Sequence, residues 1–355
     1  MCIRDRVKIH EKYISRCIEI AEGGLGTTAP NPMVGAIVVH DKKIIGEGYT
    51  SPYGGAHAEV NAIKSVADTS LLKEATLYVT LEPCVHFGKT PPCADLIIQH
   101  QIPKVVIGLL DPHRKVAGKG IKRLKDSGCE VIVGVLNDEC REHHKRFLTF
   151  HEKKRPYIIL KWAETTDGFI APAKEKRNKT PEPFWITNSH SRQLVHQWRS
   201  EEQAILVGTK TVLEDNPKLD VRKWKGKNPF RVVLDKDLKI PHDFNVLDGS
   251  APTLVLTEIE EVSKYKRHID YEVLDFSNGL AEQISTTFFK YNLSSVIIEG
   301  GATTLQTFIH AQLWDEARVF IGSTSFQKGI KAPSIKGKVI SENKIEGDIL
   351  KLYRP

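Results

Sequence analysis

At 355 residues the chain is long for one domain, and two domains are expected. Hydrophobic residues make up 40% and charged residues 27%, ordinary for a globular protein and ample for real cores. No apolar run approaches the roughly 20 residues of a membrane helix, no signal-peptide pattern opens the chain, and the net charge of +7 suits nucleic acid and small phosphorylated substrates alike.

Residues 1–6 fit no periodic pattern and are expected to lie outside the fold. Ile9, Tyr13, Ile14, Cys17, Ile18 and Ala21 keep helical spacing, and Gly23-Gly24 supplies the stop. Asn31-Pro32 breaks the chain before a buried strand over 34–39. A polar hairpin at Asp41-Lys42-Lys43 then leads to a second strand over 44–49. Gly54-Gly55 precedes His57, and 58–67 is helical by composition. Strands over 75–80, 105–108 and 130–135 alternate with helices at 94–99 and 121–125 and from Asp138, the pattern of a three-layer α/β/α domain. The basic stretch Lys153-Lys154-Arg155-Pro156 reads as the domain boundary. A second alternating series follows, with strands at 157–162, 204–207, 231–234, 254–256 and 296–298 and helices at 189–198, 280–289 and 303–311. The polar, lysine-rich stretch 172–183 reads as an exposed loop.

Six cysteines occur, at 2, 17, 84, 93, 129 and 140, too few in a chain this size for a disulfide framework, and a reducing cytosol is expected. Cys17 lies on an apolar helical stripe and Cys129 opens an apolar strand, so both read as core. Cys84, Cys93 and His57 form a different pattern: one histidine and two cysteines give zinc three protein ligands and leave the fourth position for water, as in a catalytic site. Glu59, two residues from His57 at a helix start, can handle that water's protons without binding the metal. H-x-E followed by P-C marks the zinc deaminases of nucleobases. A structural zinc knuckle takes four ligands with cysteines in tight pairs, whereas eight residues separate Cys84 from Cys93. That expanded loop suggests extra substrate groups to grip, and His86 and Lys89 within it suit a phosphate, although a solvated lysine and a surface histidine are the bland alternative.

Asn31-Pro32-Met33-Val34-Gly35, His57-Ala58-Glu59, the run from Tyr78 to Cys84 and the run from His86 to Cys93 resemble the bifunctional riboflavin biosynthesis family. That family joins a diaminohydroxyphosphoribosylaminopyrimidine deaminase to a 5-amino-6-(5-phosphoribosylamino)uracil reductase. Asp111-Pro112, Val116-Ala117-Gly118-Lys119-Gly120, Leu160-Lys161, Asp167-Gly168, Trp185-Ile186-Thr187, Asp215-Asn216-Pro217 and Glu299-Gly300-Gly301 agree. The resemblance covers nearly the whole chain from about Ile9.

It implies a cytidine-deaminase-like α/β/α domain over 7–152 and a dihydrofolate-reductase-like α/β domain over 155–355. It implies Zn2+ on His57, Cys84 and Cys93, Glu59 as proton shuttle, and substrate contacts from Asn31, His86, Lys89 and Asp111. For the second domain it implies NADPH, with cofactor contacts at Ala163, Trp185, Thr211, Asp215 and the turn Gly301, Ala302, Thr303, Thr304, Leu305, Gln306 and Thr307. Substrate contacts fall on Arg199, Leu219, Arg222 and Glu299, and Lys161 is a catalytic or orienting group. Arginine forks match the oxygens of a phosphoribosyl group. Glycines between the strand and helix at 299–303 let backbone N–H groups approach cofactor phosphates. Four positions depart from the family: Thr50, where many relatives carry histidine; His113, where many carry asparagine; and Pro183 and Lys236, where the family has serines. The expected partner is a small phosphoribosyl pyrimidine, with no nucleic acid and no membrane, in a cytoplasmic homo-oligomer formed through the reductase domain.

The competing readings are a tRNA or nucleoside deaminase with an accessory domain, and a zinc-stabilised binding module. The expanded cysteine loop counts against the first. An RNA-binding role needs a basic groove interleaved with aromatics, and the Lys and Arg here are scattered.

Overall fold

The first half of the chain contains α1 (Ile3–Ala21), β1 (Gly35–His40), β2 (Lys43–Tyr49), α2 (Ala58–Lys64), β3 (Thr76–Leu81), α3 (Cys93–Gln99), β4 (Lys104–Leu109), α4 (Lys119–Asp126), β5 (Glu130–Val133), α5 (Asn137–His143) and α6 (Lys145–Lys153). In this computed structural model residues 3–87, 91–113, 116–177, 180–260 and 268–355 are described. The chain divides into two compact units, Met1–Lys154 and Arg155–Pro355.

The sheet of the first unit runs β2-β1-β3-β4-β5, antiparallel from β2 to β3 and parallel from β3 to β5. Its hairpin turns at Asp41 and Lys42, both with positive φ, as a two-residue connection of this twist requires. Gly35 pairs with Tyr49 and Ala36 with Gly48, so Gly35 and Gly48 face opposite sides of the sheet. A Cβ at Gly35 would lie 1.9 Å from the Cys17 carbonyl oxygen of α1, and one at Gly48 would lie 2.4 Å from the Ala62 amide of α2. The two helices therefore press on opposite faces, which makes the three layers. Ile14, Ile37, Leu77, Ile97 and Ile107 are fully buried between them, each contributing about 1.5–3 kcal/mol. Cys17 and Cys129 are core residues, as expected.

One expectation fails here. Helix α1 begins at Ile3 rather than near Ile9, so most of residues 1–6 belongs to the helical backbone. Apolar periodicity reports a buried face, whereas a nucleated helix extends through any residues of adequate propensity.

The second unit contains β6 (Tyr157–Glu164), β7 (Phe169–Pro172), α7 (Ser189–Glu201), β8 (Ala204–Gly208), α8 (Thr209–Asp215), β9 (Phe230–Leu234), β10 (Thr253–Thr257), β11 (Ile269–Val273), α9 (Leu280–Lys290), β12 (Ser295–Ile298), α10 (Ala302–His310), β13 (Glu316–Ile321), β14 (Gly329–Lys331), β15 (Lys338–Ile345) and β16 (Asp348–Arg354). Nine strands form one sheet in the order β11-β10-β9-β8-β12-β6-β13-β16-β15, parallel as far as β13 and antiparallel beyond, while β14 pairs with β7. Alternate side chains of β6 serve two cores. Tyr157 and Ile159 pack with Val195 and Trp198 of α7, whereas Ile158, Leu160 and Trp162 pack with Phe288 of α9 and Phe308 of α10.

The stretch 172–183 is not simply an exposed loop. Pro172 is buried at the end of β7, and Arg177 is held in ion pairs with α8. Among the described residues no helix is long and apolar enough to cross a membrane.

Candidate functional site

Each of the three expected metal donors sits where a regular element starts or ends. His57 caps the N-terminus of α2, Cys84 follows the end of β3, and Cys93 opens α3. His57 Nδ1 lies 3.3 Å from Cys93 Sγ and 3.6 Å from Cys84 Sγ, and the three donor atoms lie within 4.8 Å of one another. Zinc bonds of about 2.3 Å to sulfur and about 2.0 Å to nitrogen place tetrahedral ligands roughly 3.6 Å apart. The donor set thus fits zinc in chemistry and in spacing. The Cys93 N–H donates to Cys84 Sγ at 3.4 Å. Hydrogen bonding from Cys93, opposed by burial and helped by His57, holds the Cys84 thiol low.

Glu59 is 4% exposed. Burial first, then the charge of Cys84, pushes its carboxyl up to about 7. Asp111, also buried, is raised to about 6, chiefly by burial, and accepts the His113 N–H on Oδ1 at 2.7 Å. Asn31 is half-buried, and its N–H donates to the Thr28 carbonyl. His86 is exposed, its ring 6.4 Å from that of His113, which in turn meets His151 edge-on at 4.9 Å. Lys89 lies outside the described residues. Thr50 is buried, and its hydroxyl oxygen accepts the Val34 N–H at 3.1 Å, a bond that pins the entry to β1. Glu82, which no sequence pattern singles out, is a buried carboxylate that accepts four backbone N–H groups.

In the second unit a cavity of about 820 Å³ opens among β6, α7, α8 and the start of α10, toward the upper end of the roughly 300–1,000 Å³ usual for ligand pockets. Lys161, Ala163, Trp185, Arg199, Thr211, Asp215, Leu219, Arg222 and Glu299 all line it, as do Gly301 to Leu305 and Thr307. Gln306 does not: its side chain is engaged with the Ser334 backbone, accepting the N–H at 3.0 Å. At Gly301 the backbone has φ +55, and a Cβ would lie 3.1 Å from Thr211 Oγ1. The turn and α8 thus close on a cradle of backbone and hydroxyl that suits phosphate oxygens at the α10 N-terminus. These residues fit a phosphorylated dinucleotide.

Most of the charged groups lining this cavity are paired. Arg199 grips Glu299 with two bonds of 2.9 and 2.8 Å, and Lys161 Nζ lies 3.7 Å from the same carboxylate. Burial would raise Glu299, but Arg199 and Lys161 outweigh it and hold the carboxyl down at about 2. Burial lowers Lys161, with Glu299 opposing. Arg222 pairs with Asp220, Lys236 with Glu258 at 3.1 Å, and the Arg192 guanidinium stands 4.8 Å over the half-exposed Trp185 ring. Two lining residues were missed from sequence. His196 donates from Nδ1 to the Asp220 carbonyl at 2.8 Å, and burial drops its ring to about 4. Arg177 donates to Glu214 at 2.7 Å and to Asp215 at 2.6 Å.

Residues 7–109 match the family described as the cytidine and deoxycytidylate deaminase zinc-binding region, and residues 156–331 match the RibD C-terminal domain. Riboflavin biosynthesis protein RibD of Aquifex aeolicus is 39% identical over 340 residues, covering 95% of this chain and 93% of that protein. The chain belongs to the bifunctional riboflavin biosynthesis deaminase/reductase family. RibD of Bacillus amyloliquefaciens is 41% identical over 328 residues, covering 89% and 86%. The crystal structure of a diaminohydroxyphosphoribosylaminopyrimidine deaminase/5-amino-6-(5-phosphoribosylamino)uracil reductase from Thermotoga maritima matches with a TM-score of 0.88 at 39% identity, covering 99% of each chain. As a member of this family the chain is a riboflavin biosynthesis enzyme with deaminase and reductase activities, served by zinc and NADPH respectively.

Proposed function

We propose that residues 7–152 deaminate 2,5-diamino-6-(5-phosphoribosylamino)pyrimidin-4-one and that residues 155–355 reduce the resulting uracil to its ribityl form. The observation that carries this reading is the convergence of His57, Cys84 and Cys93, with the buried Glu59 two residues from the first donor.

Those three residues would hold zinc, which when bound lowers the pKa of a coordinated water toward neutrality. Glu59 takes one proton of the attacking water and gives it to the ring nitrogen, then carries the second, from the hydroxyl now on the ring carbon, to the amine, which leaves as ammonia with a carbonyl in its place. Asn31, His86, Lys89 and Asp111 hold the phosphoribosyl pyrimidine.

In the second domain Ala163, Trp185, Thr211, Asp215 and the turn from Gly301 to Thr307, without the Gln306 side chain, would hold NADPH, which when bound supplies a hydride. Arg199, Leu219, Arg222 and Glu299 seat the uracil. The ribosyl carbon gains the hydride, its bond to the ring oxygen breaks, and that oxygen gains a proton. Lys161 Nζ, buried against Glu299, is the group placed to give that proton. The enzyme works in the cytoplasm as a homo-oligomer.

The test is a two-stage assay on the purified zinc protein. Aminopyrimidine alone should release ammonia and stop, and adding NADPH should then oxidise one cofactor per ammonia released. Zinc-loaded protein with no measurable affinity for NADPH would refute the reductase half.

A further inference from the structure

Glu82 lies two residues before Cys84, on the backbone leaving β3, and is 4% exposed. A buried carboxylate is costly unless its oxygens are met by donors. Among the described residues its four bonds come from backbone. Oε2 accepts the N–H of Asp111 at 3.3 Å and of Gly118 at 2.9 Å, and Oε1 accepts the N–H of Gly120 at 2.8 Å and of Ile121 at 3.1 Å. The four donors lie on one segment and at both of its ends. Asp111 stands just beyond β4, and the other three form the start of α4.

A second observation concerns the same joint. A Cβ at Gly120 would lie 2.2 Å from the Pro83 carbonyl oxygen and 3.0 Å from Glu82 Oε1. The first turn of α4 can approach the Pro83-Cys84 backbone this closely only because residue 120 has no side chain. Carboxylate and glycine together tie the segment around Asp111 to the strand exit that carries Cys84.

We propose that Glu82 is a positioning residue for the deamination. It fixes Asp111 relative to the Cys84 donor, so that the group gripping the pyrimidine and the metal centre keep one geometry. This rests on the assignment of Asp111 as a substrate contact. Positioned binding groups of this kind act on substrate affinity more than on the chemical step.

The test uses the full-length zinc protein with Glu82→Gln, Gly120→Ala and Asp111→Asn. Glutamine keeps one acceptor oxygen and turns a donor toward two of the four N–H groups. Glu82→Gln should speed hydrogen exchange at the amides of Asp111, Gly118, Gly120 and Ile121 and raise the KM for ammonia release by about tenfold or more, with kcat within about threefold and zinc content unchanged. Gly120→Ala perturbs the same joint with the carboxylate intact and should show the same signature, which keeps the test open if Glu82→Gln does not fold. Wild-type KM in Glu82→Gln overturns the proposal if Asp111→Asn raises KM. If Asp111→Asn also leaves KM unchanged, the assignment of Asp111 is what has failed. A raised KM that appears only together with zinc loss overturns the positioning role.

Discussion

In the first unit the site is assembled from two short segments, 57–59 and 84–93, whose donors converge to within 4.8 Å. In the second it is spread around an 820 Å³ cavity with Lys161, Arg199, Glu299, Arg177 and Asp215 drawn from β6, α7, the end of β12, the β7–α7 connection and α8. The first site has a focus that a metal completes, and few side chains can substitute for one another there. The second is a shaped volume in which most charged groups are paired before any ligand arrives, with cations in excess along its wall. Catalytic capacity in the first should therefore depend steeply on single donors, and in the second more on the integrity of paired groups.

Removing a metal donor should have the largest effect. Cys84→Ala should cut ammonia release by about 10³-fold or more and reduce bound zinc from one per chain to near none. NADPH oxidation with the deaminated uracil supplied directly should stay within about twofold. Metal analysis and the two assays on one preparation check this. Loss of both activities would show that the two sites do not depend on separate groups.

A smaller effect is expected from Glu299→Ala, which strands Lys161 and Arg199 as buried charges without their carboxylate. Breaking a buried pair costs about 3–5 kcal/mol, and the loss should appear in the melting of the second unit while zinc content and ammonia release persist. The same residue sets a pH dependence. Its carboxyl sits at about 2 in the fold against an ordinary 4.5, so its stabilisation is complete above pH 4.5 and is lost as pH falls through 2. Wild-type protein should lose on the order of 3 kcal/mol across that window from this group, and Glu299→Gln should show a shallower decline in acid denaturation.

The smallest effect is expected at Arg177. Arg177→Gln leaves Asp215 without its guanidinium partner in the wall of the cavity, while Glu214 keeps Lys210 at 3.8 Å, so NADPH binding should weaken by about tenfold or less. Fluorescence titration of the cofactor measures it, and unchanged affinity would place the pair outside the cofactor's reach.

The same contrast explains what could be read from sequence. The metal site was legible because its chemistry demands particular residue types in two locally readable patterns, His57-Ala58-Glu59 and Pro83-Cys84 with Cys93, although 27 and 36 residues separate His57 from the two cysteines. Glu82 stands two residues before Cys84, yet its role depends on amides 29 to 39 residues further on, which no local pattern reveals. Arg177 reads as one more cation in a lysine-rich stretch, and only its partners on α8 bury it. Helix α8, at seven residues, is too short for a periodic signal. The last strands were missed because β13 buries Glu316 and Arg318 in a mutual ion pair and β15 is exposed along most of its length. Neither shows the apolar alternation that marks a half-buried strand.

The most direct test of the central claim replaces Glu59 by Gln and supplies each of the two substrates in turn. The variant should keep its zinc, release no ammonia from the diaminopyrimidine and oxidise no NADPH with it. Given the deaminated uracil instead, it should oxidise NADPH at the wild-type rate. Ammonia release by Glu59→Gln at near the wild-type rate would contradict the account.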